Sequence, residues 1–284
     1  MLLEFDRVSY NYPASQHPAI ANLTLNIPRG KRCTLIGQNG CGKTTLFLLA
    51  NGLYKPQQGT IRWQGKPLRY DRASLTHLRQ QVGLVFQDPE QQLVASTVEE
   101  DISYGLCNLG LPDTEVRERV RQALMEFELT ALAGKPVHHL SLGQKKRVSI
   151  ADVMVLKPTL LLLDEPTAYL DPRHTRNLIA TLKQIQATGT TVLMATHDLD
   201  FVYRWADWVF VMDRGQLVLE GNPQEVFTQR QVLEDLELGA PMVVELLARV
   251  GEVLNEERQS SDNPSFAQIE YLQQQILQSF RYNS

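Results

Sequence analysis

Apolar and polar positions along this chain follow two periods, one typical of strands and one typical of helices. Residues 2–28 alternate apolar and polar side chains around a turn-rich middle, which predicts two antiparallel strands, Leu3–Val8 and Leu23–Ile27. Later apolar runs are continuous, a pattern typical of strands that are buried on both faces of a sheet. These buried strands are predicted at Cys33–Ile36, Val82–Phe86, Leu160–Leu163 and Val192–Ala195. Further strands are predicted at Gly59–Trp63 and, as a hairpin, at Val209–Met212 and Gln216–Leu219.

Helical patterns fill the stretch between two of the buried strands, at about residues 88–150. The run Ser96-Thr97-Val98-Glu99-Glu100 contains two overlapping capping boxes, so a helix is predicted to begin there and to end near Gly110. A second helix is predicted at Asp113–Leu129, where Val116, Val120, Leu124 and Phe127 share one stripe. We therefore expect a helical subdomain inserted between the strands of an α/β core.

The pattern changes again after about residue 226. Glu245–Arg258 is predicted as a mixed amphipathic helix and Ser260–Pro264 as a linker. The glutamine-rich final helix has an apolar stripe of Phe266, Ile269, Leu272, Ile276 and Phe280. Such a stripe usually packs locally, and a contact with a second subunit is the alternative. The predicted division is a domain of residues 1–225 and a small helical extension of residues 226–284.

Composition and charge limit the function classes. The chain has 284 residues, 43% of them hydrophobic, and a formal net charge of −4, which argues against a general nucleic-acid binder. Cys33, Cys41 and Cys107 are far apart, which suits a reducing compartment and predicts no cysteine metal site. No apolar run approaches the ~20 residues that span a bilayer, and the charged start argues against a signal peptide. Any work at a membrane is expected from its cytoplasmic face, through partners.

A glycine-rich loop after the strand Cys33–Ile36 carries the strongest chemical signal. Gly37, Gly42, Lys43 and Thr44 fit the pattern G-x-x-x-x-G-K-[ST], in which backbone N–H groups and the next helix cradle phosphate oxygens. The lysine would reach the β- and γ-phosphates, and the Thr44 hydroxyl would hold Mg²⁺. A chance glycine turn is the alternative, but the strand before and the helix after favour a nucleotide site. The expected binding segment is Gly37, Gln38, Asn39, Gly40, Cys41, Gly42, Lys43, Thr44 and Thr45.

Charged and polar side chains follow two of the buried strands. Asp164 and Glu165 end the most apolar strand, and His197 follows the strand Val192–Ala195. Because an open α/β sheet binds its ligand at the carboxyl ends of its strands, these groups are expected beside the phosphate loop. One carboxylate can hold Mg²⁺ and the other can activate a water. The alternative is a solvated acidic turn without a catalytic role.

Two further positions stay ambiguous on local grounds. Ser141 and Gln144 have capping-box spacing at the start of a helix with a basic first turn, so that start can bind an anion or be an ordinary cap. Local evidence favours the ordinary cap. Tyr12 lies in a loop, where it can stack on a nucleobase or simply pack as a loop tyrosine.

Together these motifs resemble the ATP-binding subunit of an ATP-binding cassette (ABC) transporter over about residues 1–225. Gly37–Thr44 resembles the Walker A loop, and Leu160–Asp164 with Glu165 resembles Walker B and the catalytic glutamate. His197 resembles the switch histidine, and Gln87 the glutamine of the Q-loop. The resemblance implies a P-loop NTPase fold of the ABC type, with a mixed sheet core, N-terminal antiparallel strands, a helical subdomain and a helical C-terminal extension.

The remaining motifs match the same family. Ser141, Gly143 and Gln144 resemble the ABC signature, Asp171 lies in a D-loop-like segment, and Tyr12 takes the place of the adenine-stacking aromatic. Two positions depart from the family pattern. Leu142 replaces a more usual glycine of the signature, and Tyr169 replaces a small D-loop residue.

The resemblance also implies a mechanism and partners. Two subunits, identical or homologous, would close head to tail around two MgATP, with each signature motif on the other subunit's γ-phosphate. Thr44, Gln87 and Asp164 would hold Mg²⁺, Glu165 would polarise the attacking water, and His197 would sense the γ-phosphate with Gln87. The motion would pass to a membrane protein docked near Gln87.

A narrower resemblance points to the energy-coupling factor (ECF) branch of importers. It is carried by the segments Val85–Asp101, Gly105–Pro112 and 140–148, and Arg69–Arg72 with Leu78–Gln81 resemble the subunits of cobalt and nickel importers most. ECF importers combine such ATPases with a transmembrane scaffold and a membrane protein that captures the substrate. Vitamin import is the near alternative. A soluble ABC ATPase acting on nucleic acid and a P-loop kinase or GTPase are less well matched, because the chain shows no basic surface pattern and no Asn-Lys-x-Asp motif.

Overall fold

A computed structural model describes residues 1–13 and 15–250, which fold into two sheets and the helices that cover them. In chain order the strands are β1 (Leu3–Tyr10), β2 (Ile20–Ile27), β3 (Arg32–Ile36), β4 (Gln58–Trp63), β5 (Lys66–Pro67), β6 (Val82–Val85), β7 (Leu160–Asp164), β8 (Thr191–Ala195), β9 (Trp208–Asp213) and β10 (Gln216–Gly221). The helices are α1 (Lys43–Ala50), α2 (Arg72–Gln81), α3 (Val98–Cys107), α4 (Asp113–Glu126), α5 (Leu142–Met154), α6 (Pro172–Ala187), α7 (Leu199–Trp205), α8 (Pro223–Thr228) and α9 (Arg230–Asp235). A further helix covers residues 242–250 of the described chain.

The larger sheet sets the positions of the chemical groups. In the described part of the chain it has six strands in the order β10-β9-β3-β8-β7-β6, and all neighbours from β9 to β6 are parallel. The register pairs both Asp164 and Leu35 with Ala195, so β3, β7 and β8 end side by side. The loops that leave these three strands therefore meet at one edge of the sheet.

The apolar runs explain why this sheet is central. All five residues of β7 are buried, and its alternate side chains enter two different cores. Leu161 and Leu163 pack in the core formed with the helices that follow β6, whereas Leu160 and Leu162 pack in the core shared with α1 and the first two strands. The second sheet, of order β2-β1-β4-β5 and antiparallel, covers that second core.

Most elements that the pattern predicts are present, with ends shifted by a few residues. The strand predicted to Val8 continues to Tyr10, and the helix predicted to Leu129 ends at Glu126. Of the two overlapping capping boxes the structure uses that of Thr97 and Glu100. The helix predicted from Glu245 already includes residue 242. Its predicted end at Arg258, the linker Ser260–Pro264 and the final helix lie outside the described residues.

The pattern missed five helices, namely α2, α6, α7, α8 and α9. The first three of them share one kind of start. Each begins after an aspartate whose carboxylate accepts a backbone N–H, at Asp71, Asp171 and Asp198. In α6 the signal was present, because Pro172 follows its cap and Leu178, Leu182 and Ile185 share a buried face. None of the helices in the described residues is both long and apolar enough to cross a membrane.

Candidate functional site

The loop between β3 and α1, residues 37–44, is called the phosphate loop below. Gly42 precedes α1 with φ of 110°, and a Cβ there would lie 2.5 Å from the carbonyl oxygen of Ala19. A Cβ on Gly37 would lie 2.3 Å from the carbonyl oxygen of Met212. Glycine is therefore required at both positions, because any side chain would push the loop off the neighbouring backbone.

The start of α1 is open to an anion. No side chain caps its first backbone N–H groups, and its first turn contains no acidic residue. The Nζ of Lys43 donates to the carbonyl oxygens of Gly37 at 2.7 Å and Gln38 at 3.0 Å. Lys43 is only 7% exposed. Among the described residues Lys43 has no ion pair. A buried cation and free helix N–H groups thus point to the same loop, which is the arrangement that binds phosphate.

Thr44 and Asp164 bring two oxygens together beside this loop. The Thr44 hydroxyl donates to Oδ2 of Asp164 at 2.6 Å, although the two residues are far apart in the chain. Burial raises the pKa of Asp164, and the Thr44 hydrogen bond and the Lys43 charge oppose that rise. A hydroxyl and a buried carboxylate in contact are hard oxygen ligands of the kind Mg²⁺ prefers.

Glu165 lies one residue further, where the chain leaves β7. Its backbone is left-handed, with φ of 44°, and its Oε2 lies 2.9 Å from Nδ1 of His197. The Glu165 side chain is 8% exposed and that of His197 is 73% exposed. Burial raises the pKa of Glu165, while His197 and Lys43 lower it. When Glu165 is ionised it only accepts hydrogen bonds, and Nδ1 of His197 is then the donor in that contact.

Glu165 and His197 line a cleft at the edge of the large sheet. Its walls include Asn39 of the phosphate loop, Gln87 after β6, Glu165, Tyr169 and His197. The sequence predicted that Gln87, Glu165 and His197 would follow strand ends, and the structure brings all three to this cleft. The parallel register is the reason, since it aligns the strands that they follow.

Tyr12 packs against other tyrosines and lies beside the phosphate loop, whereas its stacking on a nucleobase stays a prediction. Its hydroxyl lies 3.1 Å from Oγ1 of Thr45 on α1, so the residue stands next to the phosphate loop. Its ring packs edge-on against Tyr10 and Tyr54, with centroids 5.3 Å and 5.7 Å away. Tyr54 is a member of this group that sequence reasoning missed, because nothing around it indicates a neighbour so distant in the chain.

The signature-like residues form a separate helix start. Ser141 accepts the N–H of Gln144, and the Gln144 side chain accepts the N–H of Ser141 at 2.9 Å, which completes a capping box. Gly143 packs against His174, where a Cβ would lie 2.6 Å from the ring. The carboxylate of Asp171 caps α6 and binds His174. None of Ser141, Gly143, Gln144 and Asp171 lines the cleft that contains Glu165.

The two residues that depart from the family pattern, Leu142 and Tyr169, have different backbone conformations. Leu142 is the first residue of α5 and has no positive φ, so helical backbone accommodates its side chain without the freedom of glycine. Tyr169 has φ of 62° and is 83% exposed, so a bulky residue occupies a left-handed position at the mouth of the cleft.

The sequence pattern did not predict two of the contacts at this site. The Nε2 of Gln38 donates to the carbonyl oxygen of Leu236 at 3.0 Å and to Glu237 at 2.9 Å, which ties the phosphate loop to the segment after α9. Lys146 on α5 donates to backbone carbonyls of the turn after β7. Both join segments far apart in the chain, so no local pattern predicts them.

Comparisons with known proteins agree with this geometry. The family model described as ABC transporter matches residues 20–168. An ABC transporter ATP-binding protein of Nostoc sp. is 65% identical over 262 residues, covering 92% of this chain and 95% of that protein. The energy-coupling factor transporter ATP-binding protein EcfA2 of Clostridium perfringens is 42% identical over 247 residues, covering 87% of this chain and 86% of that protein.

Solved structures give the same result. CbiO1 from Clostridium perfringens, described as part of the ABC transporter complex cbiONQ, superposes with a TM-score of 0.74 at 42% identity and covers 87% of this chain and 98% of that chain. The ATP-binding cassette MJ0796, in a dimeric post-hydrolysis state bound to ADP and phosphate, has a TM-score of 0.71 at 27% identity and covers 78% of this chain and 99% of that chain.

The chain therefore belongs to the ABC transporter family, as an ATP-binding subunit with the ABC ATPase fold. Members of this family hydrolyse ATP to power transport. Within the family this chain is an ATP-binding subunit of the energy-coupling factor type. The predicted family and fold class are thereby confirmed.

Proposed function

We propose that this chain is the ATP-hydrolysing subunit of an ECF-type importer and that it powers uptake of cobalt or nickel ions through membrane partners. The observation that carries the enzymatic part is the pair of carboxylates at the end of β7. Asp164 touches Thr44 of the phosphate loop, and Glu165 lines the adjoining cleft with His197. Asp164 is thus proposed to bind the metal, and Glu165 to act on the attacking water.

Magnesium fits the residues at this position. Thr44 and Asp164 supply hard oxygen atoms, and the Gln87 amide oxygen is a third candidate ligand from the wall of the cleft. A bound Mg²⁺ would neutralise charge on the phosphates and supply electrostatic stabilisation of the transition state. Burial raises the pKa of Asp164, and a cation beside it would lower that pKa again, because a positive charge favours the ionised carboxylate.

Glu165 is proposed as the group that orients and deprotonates the attacking water. Its carboxylate is almost fully buried, and its raised pKa moves it toward the range of an effective general base at neutral pH. His197 holds the carboxylate from one side and, being largely exposed, is free to contact the γ-phosphate. Gln87, which lines the same cleft, is proposed to sense the same phosphate.

Nucleotide binding is assigned to two sets of groups. Residues 37–45 hold the phosphates of the chain's own ATP, and Tyr12, adjacent to Thr45, stacks on the adenine. Ser141, Gly143, Gln144 and Asp171 lie outside that cleft and are proposed to serve the ATP held by a second ABC ATPase subunit. The ATP-binding cassette MJ0796, which is dimeric in its ADP- and phosphate-bound state, supports the pairing of two such subunits.

The Glu165→Gln variant tests the enzymatic proposal. Glutamine keeps the shape of the side chain and cannot accept the proton, so ATP hydrolysis is expected to fall by about 100- to 10,000-fold. ATP binding should remain, because the phosphate loop is untouched. Steady-state ATPase assays and equilibrium binding of ATP measure the two effects.

Glu118→Gln is the matched control, because it makes the same chemical change on the exposed surface of α4, where Glu118 pairs with Arg121. It should leave both hydrolysis and binding unchanged. Full turnover by Glu165→Gln would contradict the role assigned to Glu165.

The cargo is proposed from the similarity to cbiO1 and from the segments Arg69–Arg72 and Leu78–Gln81. It is tested by uptake of radioactive cobalt or nickel into cells whose only copy of this chain carries Glu165→Gln. Loss of metal uptake with unchanged vitamin uptake is the expected result. The reverse result would assign the chain to a vitamin importer, and no change in any uptake would favour an ABC ATPase outside transport.

The assembly follows from the ECF type. We propose a transmembrane scaffold and a substrate-capture membrane protein as partners, with this chain peripheral at the cytoplasmic face of the membrane and no contact with nucleic acid. Residues 1–225 are proposed as the ATPase domain, with a helical subdomain at about 88–150. Residues 226–284 are proposed as a helical extension that packs locally, with a contact to the second subunit as the alternative. Recovery of both membrane proteins with this chain in mild detergent is the expected result.

A further inference from the structure

Lys146 is a buried cation whose partners in the described residues are all backbone carbonyls. It lies on α5 and is 5% exposed. Its Nζ donates to the carbonyl oxygens of Ala168 at 2.7 Å, Pro166 at 3.0 Å and Glu165 at 3.3 Å. No carboxylate in the described part of the chain forms an ion pair with it. Burying a lysine without a carboxylate partner costs desolvation free energy, so we expect Lys146 to have a specific role.

The electrostatics agree with that cost. Burial lowers the pKa of Lys146 to about 8, and the attraction of Glu165 and Asp88 only partly opposes this fall. Three converging carbonyl dipoles are what keep the ammonium in place, because each presents a lone pair to one of its N–H groups. The geometry of the carbonyls is thus coupled to the position of the lysine.

The three carbonyls belong to the turn that leaves β7, residues 165–168. The N–H of Glu165 donates to the carbonyl oxygen of Ala195 on β8 at 3.0 Å, while its own carbonyl accepts from Lys146. Glu165 is therefore held on both sides of its Cα atom. Between these two bonds its backbone adopts φ of 44°, a conformation that a glutamate rarely takes unless its surroundings impose it.

This backbone conformation directs the Glu165 side chain toward His197, at 2.9 Å. Without the Lys146 bonds, the Glu165 carbonyl would keep only the N–H of Ala168 at 3.1 Å as a donor, and the carbonyls of Pro166 and Ala168 would lose the contacts to α5. We therefore expect the turn to loosen and the carboxylate to shift with it. Lys146 also follows Ser141 along α5 by little more than one helical turn. A shift of the Ser141 helix start is thus carried by one rigid helix to the carbonyl of Glu165.

We propose that Lys146 is a positioning residue that holds the turn 165–168 and thereby keeps the Glu165 carboxylate in place for hydrolysis, linking it to the start of α5. This inference rests on the role proposed above for Glu165. The neighbouring Lys145 does not share this function, although it is also buried, because its Nζ binds the carboxylate of Glu90 instead.

The test compares kcat and KM for ATP in the purified full chain and in Lys146→Met, which keeps the apolar stem and removes every donor. We expect kcat to fall by about 10- to 100-fold, because a small displacement of a catalytic group has effects of that size. KM for ATP should stay unchanged, since the phosphate loop keeps its contacts. Lys146→Arg, which restores a buried cation with several donors, should regain most of the lost kcat.

Lys145→Met is the matched control, one position earlier on the same helix. It leaves only the exposed carboxylate of Glu90 unpaired, so its kcat should equal that of the unchanged chain. Equal losses in the two methionine variants would overturn the proposal, because they would indicate a general weakening of α5. If Lys146→Met does not fold, Lys146→Gln replaces it with the same expected loss.

Hydrogen exchange supplies a readout that does not depend on activity. The amides of Ala168 and Leu170 donate within the turn, and their exchange should accelerate in Lys146→Met and not in Lys145→Met. Unchanged exchange together with unchanged kcat would overturn the role of Lys146 while leaving that of Glu165 intact. Failure of the Glu165 role would appear separately, as full turnover in Glu165→Gln.

Discussion

Helices α1 and α5 both begin at segments that the sequence connects with phosphate, but their N-terminal N–H groups are satisfied differently. The start of α1 follows Gly42, and no side chain caps it. The start of α5 has a complete capping box made by Ser141 and Gln144. The first helix start therefore leaves donors free for a ligand, whereas the second has already satisfied two donors with its own side chains.

The difference separates a helix start whose phosphate-binding groups lie in one loop from a helix start that we propose acts on the ATP of a second subunit. The free donors of α1 lie beside the buried cation of Lys43, so phosphate has its binding groups within one loop. The two buried lysines near the start of α5 already have partners, because Lys145 pairs with Glu90 and Lys146 donates to the carbonyls of the turn after β7. Helix α3 shows that the capping box alone is no site, because Thr97 and Glu100 form the same box without any of these neighbours.

The largest effect is expected at the open helix start. Lys43→Met removes the buried cation, and ATP affinity should fall by about 10- to 100-fold, from the ~1.5–3 kcal/mol of a charge-assisted hydrogen bond. Equilibrium binding of ATP to the purified chain measures this. Lys183→Met on the exposed face of α6 is the control and should bind ATP normally. Normal affinity in Lys43→Met would mean that the open start of α1 is not the phosphate site.

A smaller effect is expected at the capped start. Ser141→Ala should lower the free energy of unfolding by about 1 kcal/mol, because the cap is lost. ATP affinity of the single subunit should not change, whereas ATP hydrolysis should fall by about tenfold through one lost contact to a charged phosphate. Denaturant unfolding and ATPase assays on the same preparation measure both. A loss of ATP affinity in the single subunit would place Ser141 at the chain's own nucleotide. It would contradict the distinction between the helix starts of α1 and α5.

The smallest effect is expected at the capping box of α3. Thr97→Ala should also cost about 1 kcal/mol of unfolding free energy, with no change in hydrolysis. It is the matched control for Ser141→Ala, because both remove a hydroxyl from a complete capping box. Equal losses of hydrolysis in the two variants would show that lost stability, and not a lost phosphate contact, explains the effect at Ser141.

The predicted parts of the fold are those whose signal is local. Continuous apolar runs predict buried strands because a strand covered on both faces has no polar side, and the cap residues of α3 and α5 act on their own helix starts. Helices α2 and α7 were missed because short helices in a large core follow their packing more than their pattern. Helix α6 has 16 residues, a cap and an apolar face, so its local signal was present and was overlooked. The Tyr10–Tyr54 stack, with centroids 5.0 Å apart, was missed because it joins separate segments.

The sequence alone determined the phosphate loop and the polar residues at the strand ends, because each depends on a few neighbouring residues whose spacing matters. The tertiary structure decided which of them meet. It joined Thr44 to Asp164 across 120 positions, Glu165 to His197 across 32, and Lys146 to the turn after β7. The physical reason is the register of the parallel sheet, which brings distant strand ends to one edge, and the burial there, which forces each charged group to find a partner.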